Sequence, residues 1–121
     1  MKKQADAFFL LHVVDALTDI FLYTDVEKNI FMAEKMRQDA VQRKFSIIGE
    51  AVKNLSVGLR EKYPHIQWSN MARFRDVLAH HYFGVDLDAV WQISKKEALV
   101  AYQQLILLDE YLLARQQANS G

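Results

Sequence analysis

Apolar residues recur at three- and four-residue steps along two long stretches of the chain, the pattern of an amphipathic helix with one buried face. The first predicted helix covers about residues 4–23, and its apolar stripe consists of Leu10, Val13, Val14, Leu17, Ile20 and Phe21. The second covers about residues 34–55, with the stripe Val41, Phe45, Ile48, Val52 and Leu55. Between them, residues 26–36 are predicted to form a short helix or an irregular joint.

A third helix is predicted after a longer connection. The connection, residues 56–67, contains Gly58 and Pro64, and the proline limits residues 59–62 to one short helical turn. The helix itself covers about residues 69–82, where the side chains of Ser69 and Asn70 can cap exposed N–H groups. Its apolar side consists of Met71, Phe74, Val77 and Leu78.

Asp86 is predicted to cap a fourth helix, because a carboxylate there can accept hydrogen bonds from the first free N–H groups. The apolar stripe of this helix extends from Leu87 to Leu112, and the pair Lys95-Lys96 marks a candidate break. Residues 105–108, Leu-Ile-Leu-Leu, would cover nearly the whole circumference of such a helix, more than one core-facing stripe requires. We therefore expect part of this segment to meet another subunit.

Composition supports a single all-α domain over residues 1–121. Fifty-one per cent of the residues are hydrophobic, and there are only four Gly and one Pro. This balance disfavours disorder, collagen-like repeats and sheet-rich folds with many tight turns. At 121 residues the chain can bury a core, yet it is small enough that an oligomer interface would add useful stability.

Charge and cysteine content restrict the partners. Fifteen basic and fifteen acidic residues give a formal net charge of zero, so nucleic-acid binding would require a local patch. The absence of Cys excludes disulfides and thiolate metal sites and is compatible with a reducing cytosol. No apolar stretch approaches the roughly 20 residues that a membrane span needs. We expect a soluble, cytoplasmic protein without a membrane partner.

The candidate chemistry is concentrated in residues 73–85, where Arg75, His80 and Tyr82 stand out. On an ideal helix Arg75 and Tyr82 project within about 20° of each other, whereas Arg75 and His80 diverge by about 140°. One regular helix therefore cannot aim both residues at one small target. Either the helix end unwinds near His81, or a second copy of the chain completes the cleft.

Arg and His together suit phosphoryl chemistry, because a permanently charged fork matches phosphate oxygens and an imidazole exchanges protons near neutral pH. RNA carries its own 2′-OH nucleophile, so its cleavage needs only a base, an acid and a cation, without a metal or other cofactor. An Arg and a His five residues apart are, however, more often a surface ion-pair donor and a packed histidine. The pattern alone leaves both interpretations open.

Several neighbouring polar residues are weaker candidates. Asp76 lies one turn before His80 and can orient its imidazole or pair with a cation; the two do not form a recognised metal-binding motif. Glu50, Lys53 and Asn54, at the end of the second helix, are candidates to line the same cleft. Their alternative role is that of solvated residues near a helix end.

The chain resembles the HEPN superfamily and, within it, the HepT-like (DUF86) branch, at Arg75-x4-His80-x-Tyr82 and in ordered blocks around that motif. These blocks are, in order, Gln38-Asp39-Ala40-Val41, Ile47-Ile48-Gly49-Glu50-Ala51, Leu59-Arg60-Glu61-Lys62-Tyr63-Pro64, Trp68, Arg75-Asp76-Val77-Leu78-Ala79-His80, Tyr82-Phe83-Gly84-Val85-Asp86 and Val90-Trp91. The resemblance covers roughly residues 5–112. It implies a bundle of four to five helices that dimerises and lines one cleft with the Arg and His of two subunits.

The resemblance also implies a metal-independent endoribonuclease, the toxin of a toxin–antitoxin pair. By this resemblance His80 is the acid/base group and Arg75 stabilises the phosphate and its transition state. Tyr82 is then the position to which a cognate minimal nucleotidyltransferase antitoxin adds AMP to silence the toxin. The expected partners are RNA, that antitoxin and a second copy of the chain, as a homodimer or a higher oligomer.

Two other functional classes remain possible from the residues. A non-catalytic module would use the same cleft to bind a nucleotide or a nucleotidyltransferase, and it would leave RNA intact. A purely structural helical bundle would tolerate changes at Arg75 and Tyr82 without an effect on growth or partner binding.

Overall fold

The structure is a computed structural model that describes the backbone of residues 2–79 and 86–120 and the side chains of residues 5–74 and 86–120. Within these ranges the chain forms eight helices and no strand, which confirms the all-α prediction. The helices are α1 (Lys2–Tyr23), α2 (Lys28–Ala33), α3 (Lys35–Lys53), α4 (Val57–Lys62), α5 (Trp68–Ala79), α6 (Leu87–Lys95), α7 (Glu97–Leu105) and α8 (Asp109–Ser120).

The two longest helices, α1 and α3, pack against each other at the centre of the bundle. α1 also contacts α6, α7 and α8, and α3 also contacts α2 and α5. The predicted apolar stripes face this core: every stripe residue of α3 is buried, and in α1 all are buried except Phe21, which is half-buried. Burying one large aliphatic or aromatic side chain contributes roughly 1.5–3 kcal/mol, so these two stripes supply much of the driving force for folding.

Two cationic side chains donate hydrogen bonds to backbone carbonyls at the C-terminal end of α1. The Arg37 guanidinium donates a hydrogen bond of 2.9 Å to the backbone carbonyl of Tyr23, and the Lys95 ammonium donates one to the carbonyl of Thr24. The last carbonyls of a helix have no partner within the helix and lie at its negative end, so cations there are stabilising. α3 and α6 are thereby attached to the same end of α1.

The joint between the first two long helices contains a short helix, as predicted. α2 and α3 are separated only by Glu34, whose backbone is extended, with φ −107° and ψ 100°. The Gln38 side chain donates hydrogen bonds to the carbonyls of Phe31 and Met32 at the end of α2. Phe31 is fully buried, so this short helix adds to the core.

The prediction of a fourth helix with one candidate break is confirmed only in part, because the segment forms the three helices α6, α7 and α8. The predicted cap is confirmed: the Asp86 carboxylate accepts a hydrogen bond of 3.1 Å from the Ala89 N–H. The candidate break is also confirmed, at Lys96, where φ is −114° and ψ is −76°. A second break separates Leu105 from Asp109.

The second break changes the interpretation of residues 105–108. α7 ends at Leu105, so these residues do not encircle one helix as we expected. Leu105 and Leu108 are buried in the core, whereas Leu107 is 73% exposed. Helical circumference therefore gives no reason to expect a subunit contact at these residues. Leu112, which was predicted to belong to the buried stripe, is 51% exposed.

The first testable prediction concerns the contact between α3 and α5. The Phe45 and Phe74 rings are buried, with centroids 5.0 Å apart and planes at 73°. We expect Phe45→Ala to lower the free energy of unfolding by roughly 3–5 kcal/mol, because it removes a large buried ring and leaves a cavity. Urea denaturation followed by circular dichroism measures this change.

Phe8→Ala is the matched control, because the Phe8 side chain is 55% exposed. It should lower stability by less than about 1 kcal/mol, as substitutions of exposed residues usually do. Equal losses in the two variants would show that the aromatic pair does not hold α5 on α3.

Candidate functional site

Helix α5 carries the first half of the predicted motif. Arg75 and Asp76 belong to α5, near its C-terminal end, although their side chains are outside the described set. His80 and Tyr82 lie outside the described residues. The convergence of Arg75, His80 and Tyr82 on one cleft therefore stays a prediction. The contacts that hold α5 against α3 and α8 lie within the described residues.

The first anchor of α5 is its packing against α3. Phe74 makes the edge-to-face contact with Phe45, and Met71, one turn earlier, is only 2% exposed. Edge-to-face ring pairs are favourable beyond the area that they bury, because the positive ring edge meets the negative ring face. Arg75 follows Phe74 directly in the chain, so this packing fixes the backbone position from which Arg75 projects.

The second anchor is a hydrogen-bonded chain at the start of α5. Trp68, the first residue of the helix, is 7% exposed, and its indole N–H donates a 2.9 Å hydrogen bond to the carbonyl of Tyr63. The Tyr63 hydroxyl donates a 2.6 Å hydrogen bond to the Glu110 carboxylate on α8. The Lys62 ammonium donates to the other oxygen of Glu110, at 2.8 Å. The start of α5 is thus connected to α8 through the α4–α5 linker.

This network shifts the pKa values of its members. Burial by itself would raise the pKa of the Glu110 carboxyl, but the hydrogen bonds from Lys62 and Tyr63 favour the charged form, and the net effect is a lowered pKa. The hydrogen bond to Glu110 is the main reason that the pKa of Tyr63 is raised. The pKa of Lys62 is raised for the same reason. At neutral pH the network is therefore a carboxylate held between an ammonium and a phenol.

The sequence predicted no role for Glu110, and Tyr63 belonged only to a block that resembles the HepT-like family. Their contact joins residues 47 positions apart, so no local pattern shows it. The acidic pair Asp109-Glu110 was the available signal for the start of α8, since carboxylates favour the first turn of a helix. It does not reveal the partner of Glu110.

The supporting candidates at the end of α3 are in the described part of the chain. Asn54 is the C-terminal cap of α3, and its side-chain amide donates a 2.8 Å hydrogen bond to the carbonyl of Glu50. The side chains of Glu50, Lys53 and Asn54 are exposed. Asn54 thus has a local structural role. A contribution of the three residues to the Arg75 cleft stays a prediction.

Among the described residues, no cluster of three or more His, Asp or Glu side chains is arranged to hold a metal ion. None of the described helices is long and apolar enough to cross a membrane.

The helices and the sequence that they carry define an all-α bundle of the HEPN type. The profile of the family described as "Ribonuclease HepT-like" matches residues 13–107. This match covers most of the chain, which therefore belongs to the HepT-like family.

Curated relatives agree with this membership. The chain is 45% identical over 96 residues to "Probable ribonuclease HepT" of Thermococcus cleftensis, an alignment that covers 78% of this chain and 87% of that protein. It is 42% identical over 94 residues to "Putative RNase MJ0127" of Methanocaldococcus jannaschii, with 77% and 78% covered.

A third relative is longer. It is "Gamma-glutamylcyclotransferase and putative RNase MJ0434" of M. jannaschii, 41% identical over 105 residues. That alignment covers 86% of this chain but 47% of the relative, so the chain spans about half its length. No solved structure matches the chain.

The second testable prediction concerns the Glu110 network. At pH 7 we expect Glu110→Gln to lower the free energy of unfolding by roughly 0.5–1 kcal/mol, because a partly exposed ion pair and charged hydrogen bonds are weakened. The folded-state pKa of Glu110 is lowered, so its contribution is present above the unfolded-state pKa and is lost as pH falls through the folded-state pKa. Urea denaturation of both proteins at pH 7 and at pH 3 measures the difference.

Glu61→Gln serves as the control, since Glu61 is exposed and has no hydrogen bond or ion pair to the residues that the structure describes. The difference between wild type and Glu110→Gln should shrink at the lower pH, whereas Glu61→Gln should stay close to wild type throughout. A Glu110→Gln deficit that is equally large at both pH values would contradict the assigned role of the carboxylate.

Proposed function

We propose that this protein is a metal-independent endoribonuclease toxin, whose activity depends on Arg75 and His80 and is silenced by a nucleotidyltransferase antitoxin. The observation that carries the proposal is the family match over residues 13–107, which spans the whole Arg75-x4-His80-x-Tyr82 motif. Relatives that align over most of their length carry ribonuclease names, which supports the same activity for this chain.

The proposed reaction uses the nucleophile that RNA itself supplies. His80 accepts the proton of a ribose 2′-OH, and the 2′ oxygen attacks the adjacent phosphorus. The bond from phosphorus to the 5′ oxygen breaks, and that oxygen receives a proton from protonated His80, the acid/base group. Arg75 stabilises the charge that accumulates on the phosphorane oxygens, since a guanidinium matches them with two N–H donors. The products are a 2′,3′-cyclic phosphate and a 5′-hydroxyl.

A homodimer gives the two groups a common target. Because Arg75 and His80 diverge by about 140° on a regular helix, a cleft between two copies can present an arginine and a histidine to one phosphate. The two anchors of α5 support this arrangement, since a cleft between rigid helices holds its catalytic groups more precisely than one between loops. Asp76, Glu50, Lys53 and Asn54 are the residues that we assign to the margin of the cleft.

Tyr82 is the proposed point of control. Its hydroxyl oxygen attacks the α-phosphorus of ATP on the antitoxin, pyrophosphate leaves, and an AMP ester remains on the tyrosine. The added phosphate carries negative charge next to the Arg75 position and competes for the same guanidinium. Bulk and charge together would exclude RNA from the cleft.

The third testable prediction is the loss of cleavage in His80→Ala. Removing a general acid/base group typically lowers the rate by 10²–10⁴-fold, so we expect cleavage of single-stranded RNA to fall by at least about 100-fold. The measurement is the cleavage rate of purified protein in the presence of a metal chelator, with mass spectrometry of the product ends. Expression of the variant should also no longer arrest growth.

His12→Ala is the matched control, because His12 is an exposed histidine on α1. It should cleave RNA at the wild-type rate. Full activity in His80→Ala would remove His80 from the mechanism.

A folded wild-type protein that binds nucleotides or the nucleotidyltransferase but leaves RNA intact at stoichiometric concentration would favour the non-catalytic binding module.

The fourth testable prediction is that Tyr82→Phe resists the antitoxin. Phenylalanine keeps the ring but lacks the attacking oxygen, so incubation with the nucleotidyltransferase and ATP should add no AMP to this variant. Cleavage by the variant should continue under conditions that silence the wild type. Intact-protein mass spectrometry and an RNA cleavage assay on the same samples test both statements.

Tyr102→Phe provides the comparison. Tyr102 is half-buried against Phe21, and its hydroxyl has no hydrogen bond to the described residues. This variant should gain AMP and lose activity as the wild type does. AMP addition to Tyr82→Phe at the wild-type level would place the modification elsewhere.

A further inference from the structure

A small pocket lies between the first half of α5 and helix α7. Its volume is about 200 Å³, below the roughly 300–1,000 Å³ of pockets that enclose drug-sized ligands. Met71 and Phe74 of α5 and Ala101 of α7 form its apolar floor, and each is at most 7% exposed. A flat system of one or two rings matches this floor in size and in its apolar character.

The rim of the pocket carries three amide side chains. Gln67 lies immediately before α5 and Asn70 in its first turn, and Gln104 contributes from the end of α7. Asn70 donates a long hydrogen bond of 3.4 Å to Gln67. The Gln104 side chain has no hydrogen-bond partner among the described residues, and neither do the N–H groups of the Gln67 side-chain amide. The rim therefore offers both donors and acceptors to a ligand.

Amides above an apolar floor are suited to nucleobases. Asn and Gln present a donor and an acceptor side by side, which matches the paired groups on the edge of a base. An apolar floor receives the uncharged face of the ring. Among the described residues, the ionic groups that line the pocket are the oppositely charged Lys96 and Glu97, which together do not favour a bare phosphate.

The pocket adjoins the motif along the chain. Phe74 forms part of its floor, and Arg75 is the next residue, with Cα atoms about 3.8 Å apart as in any trans peptide. The backbone of α5 is anchored at both Trp68 and Phe74, so the distance from the pocket to the Arg75 backbone is fixed. If Arg75 binds a phosphate of an RNA strand, a base next to that phosphate would lie close to this pocket.

We propose that the pocket between α5 and α7 binds a base next to the cleaved phosphate and gives the enzyme a base preference at that position. This inference rests on the proposed ribonuclease activity and adds the side chains that select the substrate. Gln104 and Asn70 read the edge of the base, while Met71 and Phe74 contact its face.

The test compares the cleavage profiles of variants on a pool of single-stranded RNAs with randomised sequence. We expect the wild type to prefer one base, or a pair of bases, at a position adjoining the cut. Gln104→Ala and Asn70→Ala should each reduce that preference by about tenfold, the effect of losing a two-point contact to a base edge. The site of the preference should be the same in both variants.

Two controls match the substitutions in residue type. Gln103→Ala changes the preceding residue of α7, which is exposed and does not line the pocket, and Asn29→Ala changes an exposed residue of α2. Both should keep the wild-type profile. Profiles of Gln104→Ala and Asn70→Ala that equal those of the wild type would overturn the inference. So would a wild type that cleaves RNA without a base preference beside the cut.

A binding measurement separates failure of this inference from failure of the proposed activity. AMP, GMP, CMP and UMP are titrated separately into the wild-type protein, and the side-chain amide signals of Asn70 and Gln104 are followed by NMR. Shifts of the wild-type signals for at least one nucleotide support the pocket even if the wild type fails to cut RNA, provided that the shift of the Asn70 signal is reduced in Gln104→Ala but not in Gln103→Ala. Absence of shifts with all four nucleotides overturns it.

Discussion

The arrangement of the candidate site depends on holding one helix, α5, against the core through its buried residues Trp68, Met71 and Phe74. The buried ring pair of Phe45 and Phe74 fixes the middle of α5 on α3. The hydrogen bonds from Trp68 to Tyr63 and from Tyr63 to Glu110 fix its start to α8. Because these two attachments differ in physical character, one apolar and one polar, they respond differently to pH. Burial of the rings persists in acid, whereas protonation of Glu110 weakens the polar chain.

Local periodicity was sufficient to predict the two central helices and most of their buried residues, since a 3.6-residue repeat directly reports which face is apolar. The cap at Asp86 was also predictable from the local sequence, because that hydrogen bond joins residues three apart. The division of the last segment into three helices was predicted only in part. The apolar stripe continues across residues 106–108 without Gly or Pro, so periodicity alone could not place this break.

Contacts between distant residues account for the rest of what the sequence could not predict. Tyr63 and Glu110 are 47 positions apart, and the pocket next to Phe74 combines residues from α5 with residues from α7. The sequence shows that Gln67 and Asn70 are one turn apart but not that Gln104 faces them. The motif was recognised for a different reason. An Arg and a His five residues apart are ambiguous by themselves, and the ordered blocks around them, rather than helical geometry, indicated the family.

If the pocket binds a base as proposed, the zero formal net charge gives it a physical role in substrate binding. Long-range attraction of RNA requires a positive field, and contacts to phosphates lose affinity steeply as salt increases. A chain with fifteen basic and fifteen acidic residues produces little long-range positive field to attract RNA. Short-range contacts to bases are less sensitive to salt, because they use neutral amides and apolar surface. Affinity that depends on them should therefore be retained at ionic strengths at which phosphate contacts alone would release the RNA, and it should carry a base preference with it.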